Sequence, residues 1–173
     1  FGEKPIRSTY LVTRPDFVAC HVPAYLDKYD MLRGIKDGGT FLLNSLWDAE
    51  ETRNRLPDTV KKTLAEKNIR FFIINATQIA EDIGMSGHTN TIMQAAFFKV
   101  ANVIAYEKAV TDMKNAIKKT YGKKGDDVVN LNNSAVDKGG DMGVEVKVPA
   151  EWKDIVPKKA QADEKVPEFI EKI

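Results

Sequence analysis

The sequence predicts an α/β chain, a three-layer α/β/α sandwich around a largely parallel sheet. Three observations carry that reading. Thr40–Asn44 and Ile69–Ile74 are almost continuously apolar, as strands buried on both faces are. Elsewhere apolar residues recur at three- and four-residue spacing, the mark of amphipathic helices. The two patterns alternate, and βαβ alternation puts parallel strands in one sheet with helices on its faces.

The chain has 173 residues, enough for one domain with a substantial core. Its 26 basic and 25 acidic residues leave a formal charge of +1, so no global field draws it to nucleic acid or anionic lipid, and neither is expected as a partner. The single cysteine, Cys20, excludes an intramolecular disulfide framework and favours a cytoplasmic setting. An iron–sulfur cluster takes about four cysteine ligands, so one chain of this kind cannot house it alone. Gly2, Glu3, Lys4 and Pro5 do not read as a secretory signal. The longest apolar run is interrupted by Lys99 and falls short of the roughly 20 residues of a membrane span.

Taken in order, Ser8–Thr13 is rich in β-formers and reads as a strand stopped by Pro15. Phe17–Val22 is a second apolar run, closed by Pro23. Tyr25, Leu26, Tyr29, Leu32 and Ile35 then predict one amphipathic helix, closed by Gly34 and Gly38-Gly39. Thr40–Asn44 is the central strand, with Asn44 and Ser45 at the carboxyl edge where open α/β sheets bind ligands. Asp48 opens an acidic helical turn. Pro57-Asp58 starts a helix with Val60 and Leu64 inward and Asn68 as its C-terminal cap. After the strand ending at Asn75, Ala76–Ile83 reads as helical and stops at Gly84.

Gly84 and Gly87 permit positive φ or close contact with another surface, and Thr89 or Asn90 can cap the helix that follows. From Ile92 to Ile104 only Gln94, Lys99 and Asn102 are polar, which predicts a helix covered almost all round. Tyr106–Tyr121 has one apolar stripe of Ala109, Val110, Met113 and Ile117 opposite a lysine-rich face. A last helix, Asp126–Val136, is expected to end before Gly139-Gly140. Residues 1–143 are therefore read as the α/β domain and 144–173, punctuated by Pro149, Pro157 and Pro167, as an extended linker toward a next domain.

No constellation in the sequence carries catalysis. Cys20 and His21 are neighbours on a strand and point to opposite faces, so they do not form a nucleophile–base pair. The two histidines lack metal-ligand spacing, and Gly84-x-x-Gly87 is neither a dinucleotide fingerprint nor a P-loop. No catalytic or metal-binding residue is assigned. A phosphate can still be received at the N-terminus of the helix that follows the glycine loop. The candidate contact residues, for coenzyme A or a neighbouring domain, are Asn44, Ser45, Gly84, Gly87, His88, Thr89 and Asn90.

Five stretches add a family resemblance. Asp16-Phe17-Val18-Ala19-Cys20-His21, Tyr29-Asp30-Met31-Leu32, Gly39-Thr40-Phe41-Leu42-Leu43-Asn44-Ser45, the run Thr89 to Phe98, and Tyr121-Gly122-Lys123-Lys124-Gly125 resemble, in that order, the γ-type domain of pyruvate:ferredoxin (flavodoxin) oxidoreductases. Val148-Pro149-Ala150-Glu151-Trp152 and Val166-Pro167-Glu168-Phe169-Ile170 resemble the segment leading to the next domain. The resemblance implies a fragment of a larger cytoplasmic enzyme, without the family's first strand–helix segment and inactive alone. It also implies thiamine diphosphate, Mg²⁺ and [4Fe-4S] clusters held by other domains, with coenzyme A as co-substrate. The implied partners are those domains, a homodimeric mate, and ferredoxin or flavodoxin. The implied reaction is the coenzyme A-dependent oxidative decarboxylation of pyruvate, with this piece as a scaffold lining the coenzyme A entrance. Two other readings stand beside it: a related enzyme of a different 2-oxoacid, and a stand-alone small-ligand module, which a complete reading frame of only this size would favour.

Overall fold

Strand β2, Thr40–Asn44, is buried along its whole length between β1, Phe17–Cys20, and β3, Arg70–Ile74. The computed structural model describes residues 12–157. The three strands are parallel, and β4, Val144–Val146, adds antiparallel to β3, giving the order β1-β2-β3-β4. Strand alternation sorts the side chains onto two faces. Cys20, Phe41, Leu43, Phe71, Ile73 and Val146 enter one core, and Leu42, Phe72 and Ile74 enter the other.

The first face is covered by α1, Tyr25–Lys28, by α2, Ala49–Arg55, and by α3, Asp58–Glu66, which supply Leu26, Leu56, Val60 and Leu64. The second is covered by α4, Ala76–Asp82, by α5, Asn90–Ala101, and by α7, Asp126–Asp141. Helix α6, Tyr106–Tyr121, packs outside α5 and α7 through Ala109, Met113 and Ile117. The sandwich is thus three-layered and its sheet mostly parallel, as predicted. Among the described residues no helix is long and apolar enough to cross a membrane.

Local chemistry sets several boundaries. The Asp48 carboxylate accepts from the Glu51 N–H at 2.8 Å and caps α2. Asn68 takes φ of 50° just beyond α3, the left-handed conformation that asparagine tolerates at a helix end. Asn75 caps α4 by accepting from the Gln78 N–H at 2.9 Å.

Other expectations need correction. The helix predicted over Tyr25–Ile35 stops after Lys28, because Tyr29 is extended at φ −133°, ψ 144°. Successive turns, Arg33 N–H to Asp30 O and Ile35 N–H to Leu32 O, then carry the chain onward. Leu26 in α1 and Leu32 and Ile35 in these turns still reach the core, whereas Tyr25 and Tyr29, expected on the same face, are exposed. The apolar run Phe17–Val22 is a strand only to Cys20. The expected strand Ser8–Thr13 lies largely outside the described residues, and Val12 and Thr13 are not in a strand.

Gly139-Gly140 does not end the last helix. It lies inside α7, where a Cβ on Gly139 would sit 2.4 Å from the Ile92 carbonyl oxygen and one on Gly140 would meet the Tyr106 hydroxyl. Here glycine serves close helix packing rather than chain reversal. Among the described residues after Gly143, Val144–Val146 complete the sheet, Ala150–Asp154 form a short 3-10 helix, and Val148 and Trp152 pack on the first core. The cover of α5 comes from this chain: Ile92, Met93, Ala95, Ala96 and Phe98 are buried against β2, α4, α6 and α7. Gln94 and Lys99 stay exposed.

Candidate functional site

Asn44 and Ser45 end β2 at the carboxyl edge, both buried, and their side chains diverge to opposite faces of the sheet. The Asn44 carboxamide oxygen accepts from the Ala76 N–H at 2.9 Å. Its Nδ2 donates to the His21 carbonyl at 3.1 Å and to Thr77 Oγ1 at 3.3 Å. One side chain therefore ties together the ends of β1, β2 and the start of α4. Ser45 Oγ and Thr52 Oγ1 are 2.7 Å apart and each lies 3.2 Å from the Trp47 carbonyl, so one hydroxyl donates to the other and the second donates to that carbonyl, while Ser45 Oγ accepts from the Trp47 N–H. These two residues build the edge.

The glycine loop behaves differently. Gly84 and Gly87 have φ of 76° and 78°, and a Cβ at either would meet nothing within 4 Å, so the conformation alone requires glycine. Gly87, His88 and Asn90 are exposed, Thr89 is half-buried, and the His88 ring Nδ1 lies 3.0 Å from the Ser86 carbonyl. Thr89 sits at the N-cap of α5, but in αR geometry and without a side-chain bond to the helix. The first turn of α5 therefore presents N–H groups that no side chain caps, at the positive end of a 12-residue helix.

Helix α5 runs against the strands. Its Phe97 meets Phe17 at 4.8 Å, and Lys99 and Val100 share a cleft with Arg70, all at the strands' N-terminal end. The uncapped N-terminus accordingly points toward the carboxyl edge. Among the described residues no hydrogen bond joins Gly84–Asn90 to Asn44 or Ser45. The candidate residues thus fall into a buried, self-satisfied pair and an exposed loop. Sequence reading missed Thr52 and Thr77, polar residues on inward helix faces that alone hinted at such ties.

Cys20 is buried and His21, just beyond the end of β1, is exposed. Burial pushes the Cys20 thiol up, against a smaller opposing effect of its bond to the Val22 carbonyl. Tyr106 is pushed up by burial first and then by Asp141, Asp137 and Glu107. Neither shift favours a nucleophile. Among the described residues no group of three or more His, Cys, Asp or Glu is placed to hold a metal ion.

A sequence model of the family described as Pyruvate ferredoxin/flavodoxin oxidoreductase matches residues 1–142. The chain belongs to this family. It is similar over all 173 residues, at 49% identity, to the pyruvate:ferredoxin oxidoreductase of Moorella thermoacetica, spanning 15% of that protein's length. In fold it resembles the pyruvate oxidoreductase subunit PORC of Thermotoga maritima, with a TM-score of 0.63, 21% identity, and 79% of this chain and 67% of that chain covered. It also resembles a 2-oxoglutarate:ferredoxin oxidoreductase from Magnetococcus marinus solved with 2-oxoglutarate, coenzyme A and succinyl-CoA bound, at TM-score 0.50 and 18% identity, over 83% of this chain and 20% of that one. With one cysteine in the chain, the donor set does not fit an iron–sulfur cluster.

Proposed function

We propose that the chain is one domain of a pyruvate:ferredoxin (flavodoxin) oxidoreductase, which converts pyruvate and coenzyme A to acetyl-CoA and CO₂ and passes two electrons to ferredoxin or flavodoxin. The observation that carries this reading is 49% identity, along the whole chain, to a protein of that name. Thiamine diphosphate, Mg²⁺ and the [4Fe-4S] clusters belong to other domains; for the clusters, this chain's single cysteine is too few. The enzyme is cytoplasmic, in keeping with a single free cysteine, and it works as a homodimer.

Within that enzyme the domain is a scaffold, and residues beyond Gly143 lead toward the next domain. Its Gly84–Asn90 loop lines the coenzyme A entrance. Uncapped N–H groups and the dipole of α5 suit a phosphate group, and His88 stands exposed beside them. Asn44 and Ser45 hold the edge in shape. This arrangement binds and orients; it contributes no proton donor or nucleophile, and electron transfer belongs to the cofactors elsewhere.

The test is coenzyme A titration of the whole enzyme carrying Asn90→Ala or, separately, Gly87→Ala. Gly87→Ala strains the loop at φ of 78° and Asn90→Ala removes the side chain beside the uncapped N–H groups, and either should weaken coenzyme A by about tenfold, the effect of one hydrogen bond to a charged group. Unchanged affinity and turnover in both variants would leave the loop with a packing role only.

A further inference from the structure

At the carboxyl end of β1 and β2 the described residues leave an aromatic patch exposed. Val22, Tyr25, Tyr29, Leu46 and Trp47 expose 42%, 45%, 61%, 58% and 36% of their surface. Isolated exposed apolar residues are ordinary; three features set these apart. The two segments that carry them are neighbours, because Pro23 and Asp27 of one and Trp47 and Arg55 of the other line one open cleft of about 310 Å³. The patch is also preorganised. Tyr25 and Tyr29 meet edge to face at 5.6 Å, and the Arg55 guanidinium lies 4.5 Å over the Trp47 ring. From below, the buried Ser45 and Thr52 hydroxyls lock the turn that holds Leu46 and Trp47 outward. Lastly, tyrosine, tryptophan and arginine are the residue types that dominate interface hot spots.

We infer that this patch is the face by which the chain docks against another domain of its own enzyme, one that presents an aliphatic surface with acceptors for the two phenol hydroxyls. The inference rests on the oxidoreductase reading above. Length selects this occupant: the chain corresponds to 15% of a relative that it matches along its whole length, so most of such a polypeptide lies in other domains. Composition agrees, because permanent interfaces are apolar and charge-poor at their centre, whereas electron carriers dock through small, charge-steered contacts. Docking here would bring the neighbour onto the sheet edge that Asn44 and Ser45 build.

Hydroxyl-radical footprinting of the whole enzyme reads the patch directly. Tyr25, Tyr29 and Trp47 should be oxidised no faster than the buried Phe41 and Phe71. Oxidation in proportion to their exposure, in an enzyme that still turns over pyruvate, overturns the docking face and leaves the oxidoreductase reading intact. Protection that appears only at high enzyme concentration, or only with added ferredoxin or flavodoxin, also overturns it, in favour of a second copy or the electron carrier. A paired experiment compares the double variant Tyr29→Asp/Leu46→Asp with Val103→Asp, which is 55% exposed and lies beside Thr40 at the opposite end of the sheet. The double variant should shorten the thermal-inactivation half-life of the whole enzyme by about tenfold or more, as loss of a hot-spot contact does. Equal half-lives for the two variants would overturn the inference.

Discussion

Replacing Gly139 by alanine tests how the helical layer is built. In an ordinary helix interior this change stabilises by about 1 kcal/mol, the difference in helix propensity. Here the added Cβ would lie 2.4 Å from the Ile92 carbonyl oxygen, 2.9 Å from Ile92 Cα and 3.0 Å from Ala95 Cβ. Ordinary contact begins at 3.4 Å, so α7 and α5 must part by about 1 Å. The obstacle is backbone, and no rotamer change removes it. Overpacking of this kind costs about 3 kcal/mol at the upper end of its range. Set against the propensity gain, the net loss is about 2 kcal/mol, or roughly 4–8 °C in Tm for a domain of this size. Urea denaturation followed by circular dichroism measures it, with Asn130→Ala on the exposed face of α7 as a control expected to gain about 0.5 kcal/mol. If Gly139→Ala proves as stable as the unsubstituted chain, the close α5–α7 approach is wrong.

Three further outcomes follow from the same geometry. Asn44→Leu strips partners from the Ala76 N–H and the His21 carbonyl and should cost about 2–3 kcal/mol in urea denaturation, the penalty for stranded buried polar groups. Gly84→Ala meets no steric obstacle but must adopt φ of 76°, so it should lose only about 1–2 kcal/mol in the same assay. The raised thiol of Cys20 and phenol of Tyr106 favour protonated forms in the folded state, so their contribution is complete below the unfolded-state pKa values, about 8.5 and 10, and falls as pH rises through the folded ones. Denaturation midpoints across pH 8 to about 11 should therefore decline, and less steeply in Cys20→Ala/Tyr106→Phe.

Strands β2 and β3 were legible because a strand buried on both faces has no polar positions to break its run, and Phe41-Leu42-Leu43 and Phe71-Phe72-Ile73-Ile74 show this. The limits of α6 followed from its stripe and those of α3 from Pro57 and Asn68. Periodicity failed at Tyr29–Ile35, where turns bury Leu32 and Ile35 at helix-like spacing but leave Tyr29 exposed. It failed in the other direction at Gly139-Gly140, where glycine signals either a stop or a close approach and only the neighbouring Ile92 and Tyr106 decide. Val144–Val146 was too short to declare itself a strand without Phe71 and Ile73 beside it. At the candidate site, the position of Asn44 and Ser45 on the edge could be read from the strand. Their partners Ala76, Thr77 and Thr52 arrive only through tertiary packing, and the aromatic patch could not be found from residues that look like core.

In the function proposed above, this domain supplies structure and binding surface and no reacting group. Steady-state kinetics of the whole enzyme carrying Cys20→Ala, His21→Ala and His88→Ala together test it most directly. The predicted result is a kcat at saturating coenzyme A within about threefold of the unsubstituted enzyme, with any change confined to KM for coenzyme A. A fall in kcat of about a hundredfold or more, the usual loss on removing a general acid or base, would contradict it.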